Sequence, residues 1–149
     1  MSTLIHQWVK DCRAGSNSRV IARLRSGWAV FGQSQFLHGY CLLLPDPIVG
    51  HLNEMAADDR QVFLLEGTLL GDALLAATGA ARINYEILGN LEPALHLHIV
   101  PRYNDEPEHL RTKPVWSYDW ENAPQFDEKS LKPLKNHLVE YLSNAGPIA

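Results

Sequence analysis

The chain has 149 residues, of which 46% are hydrophobic and 20% charged, and its formal net charge is −4. This length suits one domain with its own core, and the composition excludes extensive disorder. Nucleic acid and anionic membrane surfaces are disfavoured as partners, because both attract basic surfaces. The only cysteines, Cys12 and Cys41, form no CxxC pair, so we expect free thiols and a cytoplasmic location.

Hydrophobic periodicity predicts the elements in chain order. They are a helix over 4–12, strands over 19–25, 28–31 and 40–44, a long helix from 58 or 59 to 78, strands over 82–88 and 95–100, and a helix over 129–142. The segment 104–127, rich in Pro, Asp, Glu and Trp, is expected to be irregular. This order predicts an α+β fold: an antiparallel β-sheet meander with one long helix and a C-terminal helix, the helices gathered on one face.

The long helix carries apolar residues at three- and four-residue steps. They are Val62, Leu65, Leu69, Ala73 and Ala76. This spacing is typical of one buried stripe, so we expect these five residues to face the sheet.

The strand predicted over 95–100 carries two histidines. Side chains alternate between the faces of a strand, so Leu95, Leu97 and Ile99 should point to the core. His96 and His98 should then share the opposite face, close enough to touch one ligand.

A histidine pair by itself leaves three interpretations open. It can be two half-exposed strand residues, or part of a zinc or iron site, since His-x-His on a strand is a common ligand pair. The third ligand would come from His38, His51 or Glu92, although no spacing rule ties them to the pair. The third interpretation is a metal-free site for a small anionic ligand.

Three stretches resemble the histidine triad (HIT) superfamily. Leu95-His-Leu-His-Ile-Val-Pro-Arg-Tyr103 resembles its signature, in which histidines alternate with apolar residues and Pro-Arg follows. The stretch from Arg82 to Asn90 is similar to the strand and loop that lead into that motif. The stretch from Gly39 to Pro45 is similar to an earlier strand of the family that ends in proline. The Asp-Glu-Pro at 105–107 resembles a bacterial branch described as diadenosine polyphosphate hydrolase-like.

The resemblance implies a HIT-like fold and a nucleotide as small-molecule substrate. His96 matches the nucleophile, which would attack an α-phosphate and form a nucleotidyl-histidine. His98 would bond to the phosphate oxygens and could pass a proton to the leaving group, while Asn84 and Asn90 match substrate-binding positions. The resemblance also implies a homodimer. No metal and no cofactor are expected, because Cys12 lacks the second cysteine of zinc-binding relatives.

The sequence departs from the family pattern at three positions. Ala94 stands where the first triad histidine is expected, although its backbone carbonyl can still hold the nucleophile. Asp46 stands where relatives often carry a basic residue or a histidine. Gly32 stands where relatives often carry an asparagine that contacts the nucleotide. The alternative function is therefore a HIT-fold nucleotide-binding protein with little or no catalysis.

The whole chain, 1–149, is expected to be a single HIT-like domain. The resemblance places its core at about 12–107 and a C-terminal extension at 108–149. That extension contains the aromatic cluster Trp116, Tyr118 and Trp120, for which packing and the covering of a nucleobase both remain open.

Overall fold

A computed structural model describes residues 2–146 of the chain. In chain order the elements are α1 (Leu4–Ala14), β1 (Val20–Arg23), β2 (Gly27–Phe31), β3 (Cys41–Pro45), α2 (Ala57–Ala77), β4 (Arg82–Glu86), β5 (Leu97–Arg102), α3 (Glu108–Arg111) and α4 (Glu128–Ala145). Short 3-10 turns lie at Leu52–Glu54 and Val115–Ser117. None of the helices in 2–146 is long and apolar enough to cross a membrane.

The five strands form one antiparallel sheet in the order β1-β2-β3-β5-β4. The first three strands form the predicted meander, and α2 and β4 intervene before β5 returns to pair with β3. Leu42 of β3 and Glu86 of β4 both lie opposite His98 of β5. Because paired residues in a sheet share a face, Leu42, His98 and Glu86 lie side by side.

The sheet carries helices on both faces, so the expectation that all helices share one face is wrong. One face packs against α2 and α4, and its core contains Leu97 and Ile99 of β5. On the other face α1 buries Ile5, Val9 and Cys12 in a second hydrophobic cluster. The physical reason is that β3, CLLLP, is buried along its whole length, so its second face also needs a covering element.

The C-terminal helix α4 behaves as its periodicity predicts. Leu131, Leu134, Leu138 and Leu142 are all buried. They pack in the same cluster as the buried face of α2. The segment after residue 107 therefore supplies part of the main core.

The apolar stripe predicted for α2 is largely wrong. Of its five residues only Ala73 is fully buried, and Leu65 is 58% exposed. The buried face instead carries Phe63, Leu70 and Leu74. Most positions of α2 are apolar, so periodicity alone does not select a face.

Two glycines of α2 determine which face meets the sheet. A Cβ at Gly67 would lie 2.3 Å from Cδ2 of Leu97, and one at Gly71 would lie 2.0 Å from the hydroxyl of Tyr85. Both distances are far below a normal contact, so the helix reaches β4 and β5 only where it has no side chain. This close approach fixes α2 against the strand that carries His98.

Strand β5 begins two residues later than predicted, at Leu97. His96 therefore lies immediately before the strand. The pairing explains the shift. At the start of β5 the first residue that pairs with β3 is Leu97, opposite Leu43, and the first that pairs with β4 is His98, opposite Glu86. Residue 96 thus forms no ladder pair with either neighbouring strand.

Candidate active site

His96 and His98 lie together on the α1 side of the sheet, as the alternation predicts. Their ring centroids are 4.8 Å apart with the planes at 74°. The two residues are only 8% and 7% exposed. The flanking Leu97 packs in the opposite cluster, with α2.

His96 is held by the backbone of its own loop. Its Nδ1 lies 2.7 Å from the carbonyl oxygen of Ala94. A carbonyl can only accept a hydrogen bond, so Nδ1 must carry the proton. Nε2 of a neutral His96 therefore keeps its lone pair. The alanine at position 94 supplies this contact through its backbone, so the contact does not require an imidazole there.

His98 is held by a tyrosine that immediately precedes the neighbouring strand β3. The hydroxyl of Tyr40, the residue before β3, lies 2.7 Å from His98 Nδ1, and both side chains are buried. Burial and the nearby His96 lower the pKa of His98 from 6.5 to about 4. His98 is therefore neutral at pH 7 in the unliganded protein.

An aromatic pair packs against His98. The ring of Trp116 meets His98 edge-on at 5.1 Å and stacks on Trp120 at 5.0 Å. The indole Nε1 of Trp116 donates a hydrogen bond to Glu86, the residue opposite His98 in the sheet. The cluster thus packs within the chain and against the candidate site, and Trp116 is still 43% exposed.

The segment that carries Trp116 is anchored by a buried ion pair. Arg102, at the end of β5, contacts the carboxylate of Glu106 at 2.9 Å, and both residues are less than 10% exposed. Arg102 also donates to the carbonyl oxygens of Leu110, Arg111 and Lys113. Burial raises the pKa of Glu106, but the bonds from Arg102, Tyr118 and the Tyr103 amide outweigh it and hold that pKa below its usual range.

The two predicted substrate-binding asparagines occupy different surroundings. Asn84 lies on the histidine side of β4, opposite Val100, and its side-chain oxygen accepts a hydrogen bond from Arg102 at 2.8 Å. Asn90 is exposed in the loop that precedes β5. The structure therefore brings His96 and His98 together, ties Asn84 to Arg102 and leaves Asn90 at the surface.

The third metal ligands considered above have other contacts or positions. His51 pairs with Glu54 at 3.2 Å, His38 is exposed, and Glu92 accepts from the amide of Ala94. Within residues 2–146, no group of three or more His, Cys, Asp or Glu side chains is placed to hold a metal.

Sequence reasoning missed Tyr40 and Glu86 as neighbours of the histidines. Tyr40 lies inside the resembling stretch 39–45, but no spacing connects it to residue 98, 58 positions away. Glu86 faces His98 only through the β4–β5 register. That register depends on tertiary pairing, which the local pattern does not contain.

The fold resembles that of several solved proteins, although no protein-family model and no curated protein matches the sequence. A histidine triad protein of Sinorhizobium meliloti is 25% identical, with a TM-score of 0.72 over 83% of this chain and 88% of that one. A histidine triad protein of Marinobacter aquaeolei is 23% identical, with a TM-score of 0.72 over 84% and 88%. A structure from Sulfolobus tokodaii, described as a hypothetical histidine triad nucleotide-binding protein, is 14% identical, with a TM-score of 0.69 over 93% and 92%. The chain therefore has the fold of histidine triad proteins.

Proposed function

We propose that this chain belongs to the histidine triad superfamily and hydrolyses a nucleotide at its α-phosphate, with His96 as the nucleophile. The observation that carries the proposal is the bond from His96 Nδ1 to the Ala94 carbonyl, which leaves Nε2 free to attack. The adjacent His98 and the shared fold support it. An imidazole suits this role because its neutral form is populated at pH 7.

The proposed reaction has two displacements at phosphorus. In the first, the lone pair of His96 Nε2 forms a bond to the α-phosphorus, and the bond to the leaving group breaks with its electron pair. In the second, water attacks the nucleotidyl-histidine, the P–N bond breaks, and a nucleoside monophosphate leaves. The water oxygen remains on phosphorus, one of its two protons goes to solvent, and the electron pair of the P–N bond returns to Nε2 of His96.

His98 would hydrogen-bond to the phosphate oxygens during both steps. A neutral imidazole is a poor source of a complete proton, and His98 is neutral at pH 7 because burial lowers its pKa to about 4. Leaving groups that depart as anions should therefore react best. Phosphate anhydrides fit this requirement better than amidates, whose amine must be protonated. We therefore propose diadenosine polyphosphates as the preferred substrates.

Substrate contacts are proposed for the two asparagines. Asn90, exposed in the loop before β5, would reach the phosphates. Asn84 lies on the histidine side of β4 and would hold the pocket wall next to Arg102. We expect no metal ion in the catalytic step, since the proposed nucleophile is an imidazole and not a metal-activated water.

A second function is favoured by the burial of the site. His96 and His98 are only 8% and 7% exposed, with Trp116 against His98. If His96 stays this buried, phosphorus cannot reach its Nε2. The protein would then be a HIT-fold nucleotide-binding protein with little or no catalysis.

We also propose that the chain forms a homodimer in the cytoplasm. Leu64 of α2 and Tyr85 of the edge strand β4 are about 40% exposed and line one shallow cavity. Such an apolar patch at a sheet edge is typical of an interface. Free, buried Cys12 and Cys41 suit a reducing compartment.

A panel of substrates tests the enzymatic proposal. Diadenosine polyphosphates, adenosine phosphoramidate and nucleotide sugars are incubated with the wild-type protein and with His96→Ala, and nucleoside monophosphate is quantified. The proposal expects release by the wild-type protein alone, fastest from the anhydrides and unchanged after prolonged EDTA treatment of the protein. Monophosphate binding without turnover on any substrate supports the binding protein instead.

A further inference from the structure

We infer that Tyr40 is a positioning residue that fixes the proton of His98 on Nε2, so that His98 presents a hydrogen-bond donor to the phosphoryl group. The catalytic part of this inference rests on the proposed function. The tautomer itself does not, because it follows from the contacts of the unliganded protein.

The hydrogen bond between the two side chains can run in either direction, but the surroundings distinguish them. Among residues 2–146, the Tyr40 hydroxyl makes one hydrogen bond, to His98 Nδ1 at 2.7 Å. If Nδ1 were the donor, the buried hydroxyl proton would have no protein acceptor, and an unmet buried donor is costly. The hydroxyl therefore donates to Nδ1. A neutral imidazole has one proton, so that proton lies on Nε2.

The Tyr40 ring is held in place by a glycine where a side chain is expected. A Cβ at Gly32 would lie 2.2 Å from Cδ2 of Tyr40, so the ring occupies that space. Phe36 and Trp120 pack on the ring from other directions, at 5.4 and 6.1 Å between centroids. The glycine at position 32 therefore makes space for the Tyr40 ring, and it has no side chain that could contact a nucleotide.

Tyr40 keeps its proton over the whole physiological pH range. Burial raises the pKa of its hydroxyl well above the ordinary value of 10. The residue therefore acts as a permanent neutral donor and not as an acid or a base.

The two histidines then differ in a useful way. In His96, Nδ1 donates a hydrogen bond to a carbonyl oxygen, so Nε2 has no proton and keeps its lone pair. In His98, Nδ1 accepts a hydrogen bond from a hydroxyl group, so Nε2 carries the ring proton. One ring can attack phosphorus while the other bonds to a phosphoryl oxygen. Two identical side chains thus receive opposite roles from their different partners.

The test that does not depend on activity is the tautomer, measured on protein labelled with ¹⁵N-histidine at pH 7. In long-range ¹H–¹⁵N spectra, His98 of the wild-type protein should show an unprotonated Nδ1 and a protonated Nε2. Tyr40→Phe keeps the ring but removes the donor, so it should give a mixture of both tautomers. Tyr103→Phe is the matched control, because it removes a hydroxyl that donates to the carbonyl oxygen of His38. A protonated Nδ1 in the wild-type protein, or an unchanged tautomer in Tyr40→Phe, overturns the inference.

Kinetics test the consequence for catalysis. We expect Tyr40→Phe to lower kcat about 5- to 10-fold, the effect of one lost hydrogen bond, with KM within about twofold. In a His98→Ala background the same substitution should change nothing further. An equal loss in that background shows that Tyr40 acts other than through His98. If the wild-type protein has no turnover, the proposed function fails, while the tautomer spectra still decide this inference.

Discussion

At the residue scale, the site depends on what each imidazole nitrogen touches. Ala94 and Tyr40 engage Nδ1 of the two histidines, so both Nε2 atoms remain available to a ligand. Position 94 carries only a methyl group, but the atom that orients His96 belongs to the backbone. An alanine at position 94 is therefore compatible with the backbone contact that holds His96 Nδ1.

The two histidines should respond differently to truncation. His96→Ala should abolish turnover, because no neighbouring group replaces the nucleophile. His98→Ala should lower kcat about 10²–10³-fold, the usual cost of losing one electrostatic stabiliser. Steady-state kinetics and calorimetric AMP binding measure both effects, and binding should persist in each variant. Full activity of His96→Ala would show that the nucleophile is wrongly assigned.

Burial of His98 should make stability depend on pH. The pKa of His98 is about 4 in the folded protein and near 6.5 when unfolded. Between these values the unfolded chain binds a proton that the folded one does not, so the free energy of unfolding should fall as pH falls from 6.5 to 4. The contribution is present above pH 6.5 and amounts to at most about 3 kcal/mol.

Denaturant unfolding of the wild-type protein and His98→Gln between pH 4 and 7 measures this contribution. The difference in unfolding free energy between the two proteins should shrink as pH falls. His109→Gln, at an exposed position of α3, serves as the control and should track the wild-type protein. A wild-type to His98→Gln difference that stays constant with pH contradicts the expected linkage.

At the element scale, the segment after β5 places Trp116 over the site. Arg102 and Glu106 anchor this segment, and Glu86 of β4 accepts the indole N–H of Trp116. The position of Trp116 therefore depends on contacts with β4 and β5 as well as on its own irregular segment. Motion of Trp116 would uncover His98, the histidine that its ring contacts.

Removal of Trp116 should expose His98 and raise its pKa. Burial is the main cause of the lowered value, so Trp116→Ala should move the pKa from about 4 toward 6.5. An NMR titration of the His98 ring protons measures this. Tyr141→Ala, which removes an exposed aromatic on α4, is the control and should leave the His98 titration unchanged. A value still near 4 in Trp116→Ala would show that Trp116 does not shield His98.

The sequence predicts the elements well and their contacts less well. Alternation around Leu97 assigned both histidines to one face, and leucine spacing assigned the buried face of α4. The buried face of α2 was not predicted, because glycine packing against Leu97 decided it rather than periodicity. The pairs Tyr40–His98 and Glu86–His98 depend on strand register, which is a tertiary property.

At the scale of the whole molecule, the sheet separates the larger hydrophobic core from the candidate site. The face under α2 and α4 holds the larger core, and the opposite face holds the histidines, α1 and the aromatic segment. Because α4 completes the larger core, we propose that the chain is one domain and that its C-terminal segment is needed for folding. The exposed patch at Leu64 and Tyr85 also includes Leu97 and lies on the α2 side of the sheet, on the opposite face from the histidines.

A charge in that patch should separate the proposed dimer. Leu64→Glu would bury a carboxylate in an apolar interface, so we expect a monomer by light scattering at micromolar concentration, against a dimer for the wild-type protein. Leu4→Glu adds the same charge at an exposed leucine of α1 and should leave the dimer intact. A wild-type protein that is already monomeric at this concentration rules the dimer out.

The most direct measurement of the central claim is to locate the covalent intermediate. The wild-type protein is mixed with a diadenosine polyphosphate, quenched under mildly alkaline denaturing conditions that preserve phosphoramidate bonds, and mapped by peptide mass spectrometry. We predict one nucleoside monophosphate group on His96, absent from His96→Ala and present at a lower level in His98→Ala. A nucleotidyl group on any other residue, or turnover by His96→Ala, would contradict the account.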